Sequence, residues 1–274
     1  MNPFAINDCG ENQYYYPPAF CIKTKGCQPE VRGTAVRISF NQPIFIPWGG
    51  FFGKLLHSDK LVLLDDTLLA RGFTYVNRNR IKGPAGESWI TVPLKRHGRG
   101  RQKIKDLEIF EKKKWAKNFL LTVKHFYGKS LFLEPILTEV ETILDSPDES
   151  FCSMVIRLLS IFKKDFNIDT AFILQSDTGI TGKGTSLLVS IVKELGADEV
   201  LMPYFSRKIL DWNLFDREKI AVHFLRYDPP QYPQFWGHFL KRLSVLDLLL
   251  CCGGAGRTVI EKGSYLYEAA ALAV

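Results

Sequence analysis

Residues 36–66 read VRISFNQPIFIPWGGFFGKLLHSDKLVLLDD, and this stretch decides the fold. Val36–Phe40 alternates in character and runs into Asn41-Gln42-Pro43, the signature of a strand followed by a turn. After a second turn at Pro47-Trp48-Gly49-Gly50, the segment Gly50–Leu56 can form one or two helical turns. Leu61–Leu64 is then a continuous apolar run, as expected for a strand buried on both faces, and Asp65-Asp66 stand at its carboxyl end. Strand, short crossover and strand suggest a βαβ unit, although the crossover is short for one. Polar groups at the ends of two apolar strands are the usual make-up of a site in an open α/β sheet.

The same reading extends in both directions. Thr74–Ile81 and Ser88–Val92 flank Gly83-Pro84-Ala85-Gly86, a turn signal that predicts a hairpin. Lys105–Phe110 reads as a short strand, and residues 111–165 read as helical. Trp115, Phe119, Val123 and Phe126 recur at helical spacing, as do Ile136, Val140 and Ile143. Ser146–Ser150 supplies an N-cap for a helix over Phe151–Lys164. Ala171–Leu174, Glu199–Met202 and Ile220–Arg226 read as strands. Ser206–Trp212, Phe235 to about Cys252 and Arg257–Val274 read as helices. The expected fold is α/β: a three-layer, open, mainly parallel sheet with a β-hairpin insertion and a helical subdomain. Its parts would be an N-terminal extension (1–33), an α/β domain (34–256, with the helical insertion at about 111–165) and a C-terminal helix (257–274).

Composition narrows the function classes. No run of apolar residues is long enough to span a bilayer, and the N-terminus has neither a basic nor an apolar signal region. A cytoplasmic location without membrane insertion is expected. The six cysteines then read as thiols, and Cys21 and Cys27 lack the neighbouring ligands of a zinc site. The net charge is +7, with a basic run between Arg71 and Lys117 that favours an anionic partner. Nucleic acid is disfavoured, because that run carries few aromatic side chains for base stacking. GITGKGTS (179–186) follows a strand and opens a helix like an anion cradle, but Asp177 stands where a P-loop needs its first glycine.

Longer motifs carry a family resemblance. Gln42-Pro43, Phe45, Pro47-Trp48 and Gly50-Phe51-Phe52 are followed by Ser58-Asp59 and Asp65-Asp66. Next come Asn77-Arg78-Asn79-Arg80-Ile81-Lys82 and Trp89, Thr91-Val92-Pro93. Further on stand Gln175-Ser176-Asp177, Leu195-Gly196-Ala197, Tyr232-Pro233-Gln234 and Leu243–Leu249. Together they resemble the WbqC-like family over roughly residues 36–252. Genes of that family occur in bacterial O-antigen and related polysaccharide or natural-product clusters. The resemblance implies biosynthesis more than it implies a reaction. The chain departs from the family pattern at Asn41 and Asn118, where relatives commonly carry His, and at Met202–Phe205, where they tend to be glycine-rich. Asn cannot titrate, so any proton chemistry at those positions is lost here. A weaker likeness, to nucleotidyltransferase-like α/β folds, lacks their His-x-Gly-His.

Individual residues suggest chemistry. Arg78 and Arg80 lie two apart on a strand and so share a face, suited with Lys82 to a phosphate or carboxylate. Asn77 and Asn79 fall on the opposite face. Asp65 and Asp66 could orient a sugar hydroxyl, hold Mg²⁺ on a diphosphate, or act as base toward an amine; a salt bridge to the arginines is the structural alternative. Trp48 could wall a ring or simply fix a turn, and Gln42 and Asn41 can read a ligand edge. Asn77, Tyr232 and Gln234 join Asn41, Gln42, Trp48, Arg78, Arg80 and Lys82 as candidate substrate-binding residues, and His238 is the general-base candidate, sharing a helical face loosely with Asp247. The leading expectation is a transferase acting on a phosphorylated or nucleotide-linked amino sugar or related amine, by acyl or aminoacyl transfer. Asp65, Asp66 and His238 would be catalytic, and Mg²⁺ accompanying a nucleotide is the one cofactor the residues suggest. The alternative is a non-catalytic scaffold that holds an acyl-carrier or other biosynthetic partner protein.

Overall fold

The computed structural model describes residues 35–268. The expected extension 1–33, with Cys9, Cys21 and Cys27, lies outside the described residues. In chain order the elements begin with β1 (Arg37–Asn41), α1 (Gly49–Leu56) and β2 (Lys60–Leu63). The hairpin β3 (Arg78–Gly83) and β4 (Gly86–Thr91) follows, then α2 (Lys112–Tyr127), α3 (Leu133–Leu144) and α4 (Phe151–Asp165). Next are β5 (Ala171–Leu174), α5 (Gly184–Glu194), β6 (Glu199–Pro203), α6 (Trp212–Arg217) and β7 (Ala221–Tyr227). The chain closes with α7 (Val245–Cys252), α8 (Gly256–Gly263) and β8 (Ser264–Glu268).

Six strands form one sheet in the order β5-β2-β1-β6-β7-β8, parallel except for the β7–β8 pair. Side chains alternate across a strand, so each strand feeds two cores. Ile38, Phe40, Val62, Leu64, Val200, Met202 and Phe224 pack with Leu187, Ile191 and Phe215 of α5 and α6. Leu61, Leu63, Leu201 and Leu225 face the other way, against α1, the α2–α4 helices, α7 and α8. The outcome is the three-layer α/β architecture read from the sequence, with the hairpin β3–β4 as a separate two-stranded sheet. The short α1 does suffice for the β1-to-β2 crossover.

The insertion is helical, as its apolar spacing requires. Trp115 stacks on Phe119 (centroids 5.5 Å apart), and Phe45 meets both edge-on, so the aromatic stripe is core. Ser150 caps α4 by accepting from the Ser153 N–H at 3.2 Å.

Four expectations are corrected. The C-terminal helix stops at Gly263, and Ser264–Glu268 adds an antiparallel edge strand instead. The helix read from Phe235 begins only at Val245, because Trp236, Gly237 and Arg242 have φ of 62°, 58° and 61°, outside the helical region. Residues 204–208 form a single 3₁₀ turn, and a helix starts only at Trp212, capped by Asp211. Lys105–Phe110 is a 3₁₀ turn followed by isolated bridges, one of them Leu94 to Ile109, rather than a strand.

Candidate functional site at the carboxyl edge of the sheet

From β1 the chain works outward through β2 to β5, then returns to the other side of β1 for β6 and β7. The strand order therefore reverses between β1 and β6, and ligands of open α/β sheets bind beyond the carboxyl ends of the strands at such a point. Asn41 ends β1 there, and Pro203 ends β6. Beneath Asn41 lies a lysine that the sequence reading passed over. Lys54 is 3% exposed, and its Nζ donates to the Phe40 carbonyl at 2.7 Å and to Asn41 Oδ1 at 2.6 Å. Among the described residues it has no carboxylate partner, and burial lowers its pKa from 10.5 to about 7. Its signal in the sequence was a cation inside Gly49–Leu55, a helix buried all round.

The neighbouring strand ends are tied together. The Ser176 N–H and Oγ donate to the two Asp65 oxygens at 2.9 and 2.6 Å, joining the ends of β2 and β5. Asp66 takes Lys103 at 2.8 Å and Lys105 at 2.6 Å. Burial pushes the Asp66 carboxyl up, but hydrogen bonds from the two lysines outweigh it and hold its pKa below the usual carboxylate value. Gln42 Nε2 donates to Thr67 Oγ1 at 3.0 Å, which in turn donates to the Leu64 carbonyl. The acid pair is thus engaged by Ser176 and the lysines, not by Arg78 and Arg80. The oxygens a Mg²⁺ would take are already hydrogen-bonded, and no cluster of three His, Cys, Asp or Glu suited to a metal occurs among the described residues.

The hairpin faces divide as strand alternation requires. Asn77 and Asn79 are buried: Asn77 donates to the Val92 carbonyl at 2.8 Å and closes the open end of the hairpin, and Asn79 donates to the Ile46 carbonyl at 2.9 Å and pins the hairpin to the turn after β1. Arg78 and Arg80 share the other face with Trp89, their guanidinium carbons 4.4 and 5.6 Å from its ring. Arg80 also pairs with Glu87 at 2.8 Å. Lys82 is buried, and its Nζ donates to Gln234 Oε1 and to the His238 carbonyl.

Lys82 leads into a buried network that joins the motifs Tyr232-Pro233-Gln234 and Ser244–Asp247. Asp247 is fully buried; its Oδ1 accepts from Tyr127 at 2.7 Å, and its Oδ2 from Tyr232 at 2.8 Å and Gln234 at 3.1 Å. Burial raises the Asp247 carboxyl, against the opposing pull of the phenols and Lys82. His238 lies exposed in the irregular segment and gives the cluster its carbonyl. The helical face it was expected to share with Asp247 does not form. Trp48 is no open wall either: it packs edge-on against Tyr227 at 5.3 Å and bridges to Ser244. The structure thus brings Asn41, Gln42, Asp65 and Asp66 to the sheet edge, sets Arg78 and Arg80 on the hairpin, and places Lys82, Tyr232 and Gln234 in the buried network.

Residues that resemble a family motif therefore meet at shared contacts far apart in sequence. The protein-family model for the WbqC-like protein family matches residues 42–258. The chain belongs to the WbqC-like protein family. A relative in Mycobacterium tuberculosis (strain ATCC 25618 / H37Rv), "Uncharacterized protein Rv1507c", is 28% identical over 219 residues, 79% of this chain and 94% of that protein. No solved structure matches the chain. In this WbqC-like protein, motif residues spread from Gln42 to Asp247 mostly hold the sheet edge, the hairpin and α7 in one arrangement. Fewer of them, Gln42 and Arg78 among them, keep surface of their own.

Proposed function

We propose that this WbqC-like protein is a biosynthetic transferase that acts on a phosphorylated or nucleotide-linked amino sugar or related amine, by acyl or aminoacyl transfer. The carrying observation is the strand reversal between β1 and β6, with Asn41 and the buried Lys54 at its carboxyl edge. A buried lysine near neutrality can accept a proton from an ammonium substrate or hand one on through a ligand that displaces its carbonyl contact. Asn41 and Gln42 supply amides that read hydroxyl or carbonyl groups, and the cationic hairpin supports a phosphorylated ligand. Asp65 and Asp66 hold the loops after β2 in place on this reading, His238 stands apart from the edge, and a cytoplasmic location goes with it. Thermal unfolding measured against nucleotide sugars, nucleotides and acyl donors tests the proposal. Stabilisation by a phosphorylated ligand, reduced in Asn41→Ala and Gln42→Ala, is expected; no stabilisation by any of them overturns it.

A second reading is a non-catalytic scaffold in a biosynthetic complex, favoured by the full engagement of Asp65 and Asp66 with structural partners. Recovery of an acyl-carrier or synthase partner in a pull-down would support it, provided product formation in the complex is unchanged by Asn41→Ala and Lys54→Met.

A further inference from the structure

The three cations on one face of the hairpin differ in how far their charge is spent. Lys82 is buried against Gln234 and the His238 carbonyl. Arg80 is taken up by Glu87 and donates to the Arg242 carbonyl at 3.2 Å. The Arg78 side chain makes no hydrogen bond or ion pair among the described residues. Its guanidinium instead sits in the corner made by two perpendicular rings, with its central carbon 4.8 Å from the Phe73 centroid and 4.4 Å from that of Trp89.

The rings are themselves braced. Phe73 meets Trp89 and Tyr75 edge-on at 5.4 and 5.2 Å, and Tyr75 lies 5.8 Å from Trp89. Phe73 and Trp89 are 37% and 36% exposed, so the assembly stands at the surface. Arg78 Nε is buried without an acceptor, whereas the terminal nitrogens, equally without one among the described residues, are not buried. Aromatic faces hold a guanidinium by its π surface and leave its in-plane donors unspent. A planar fork fixed in orientation, half exposed and without a counter-ion matches a two-oxygen anion at low entropic cost.

We propose that Arg78, held in the corner of Phe73 and Trp89, is a preorganised oxyanion-binding site that receives a phosphoryl group of the ligand. The choice of phosphate over carboxylate rests on the function proposed above; the geometry itself suits either. Arg80, its charge balanced by Glu87, does not compete for the same oxygens. The turn from Ile46 to Trp48 is pinned to the hairpin by Asn79, so the site is fixed relative to the carboxyl end of β1.

Titration calorimetry of the full chain with pyrophosphate and, separately, with malonate tests the assignment at low salt. Wild type is expected to bind, with Arg78→Gln losing about tenfold or more in affinity, the scale of a charge-assisted pair. Arg78→Lys keeps the charge but not the fork and is expected to fall between them, and Trp89→Leu to weaken binding by freeing the guanidinium. Arg96→Gln, an exposed residue of the basic run, controls for net charge and leaves binding unchanged. Tighter pyrophosphate binding identifies a phosphate site, and tighter malonate binding a carboxylate site. Equal affinities in wild type and Arg78→Gln, an equal loss in Arg96→Gln, or no binding of either anion by wild type overturns the assignment. Nucleotide stabilisation that survives Arg78→Gln sinks the Arg78 site and leaves the transferase reading standing. Anion binding at Arg78 without any nucleotide stabilisation sinks the transferase reading alone.

Discussion

At the residue scale, Lys54 and Arg78 carry the unspent chemistry, and they differ in how visible each was. Arg78 announced itself through its spacing from Arg80, whereas Lys54 looked like one polar residue in an apolar helix. Its consequence is a pH dependence of stability. The unfolded chain keeps this proton up to about pH 10.5 and the folded chain releases it near 7. Between those values the unfolded state binds more protons, so this group makes stability rise with pH, by at most about 1.4 kcal/mol per pH unit. Below 7 the burial penalty is felt in full. Lys54→Met removes the charge, and denaturant unfolding should show its stability advantage over wild type shrinking steadily from pH 7 to 10. A difference independent of pH would mean that the lysine keeps its proton in the fold.

Among the elements, α1 shows how a short motif becomes legible only against its neighbours. Pro47-Trp48-Gly49-Gly50 reads as a turn, and its glycines look like turn residues. In the fold they open α1 and let it press against β7. A Cβ on Gly50 would lie 2.9 Å from the Trp48 ring and from the Cβ of Tyr227, and one on Gly49 would strike the Tyr227 phenol. Gly50→Ala is therefore expected to lower stability by about 1–3 kcal/mol through overpacking, measured as a shift of the urea midpoint at constant m-value. The segment before α7 shows the opposite failure. Its apolar spacing favours helix, but Gln234 uses its whole amide in non-helical contacts: Oε1 accepts from the Leu240 N–H and Lys82, and Nε2 donates to the Leu240 carbonyl and Asp247. Those bonds reward an irregular path that periodicity does not encode.

On the scale of the whole molecule, Asp247 links parts of the chain that are distant in sequence. Tyr127 of α2 donates to it and accepts from the Lys82 N–H of β3 at 3.0 Å, while Tyr232 and Gln234 reach it from the connecting segment. Tyr127→Phe leaves a buried N–H without its acceptor and a carboxylate without one donor. It is expected to cost about 1–3 kcal/mol, and more than a surface phenol would. Equilibrium unfolding followed separately by fluorescence and circular dichroism checks this. Coincident transitions are expected if the network couples the helical insertion to the sheet, and separated ones would show that the two unfold independently.

The sequence alone determined the layers, the parallel strands β1, β2, β5, β6 and β7, the hairpin turn and the helical insertion, because alternation and helical spacing are local properties of the chain. It also placed polar residues at the strand ends and Arg78 and Arg80 on one face, since both follow from a period of two. Tertiary structure alone decided which polar groups were already spent. Asp65 went to Ser176, Asp66 to Lys103 and Lys105, and Lys82 to Gln234, through pairings that span from 37 to more than 150 residues. It also turned the C-terminal tail into an edge strand, where the open side of β7 offered hydrogen bonds that a last helix could not supply. Partner choice across such distances depends on burial and on packing of the intervening elements, and neither is written in local pattern.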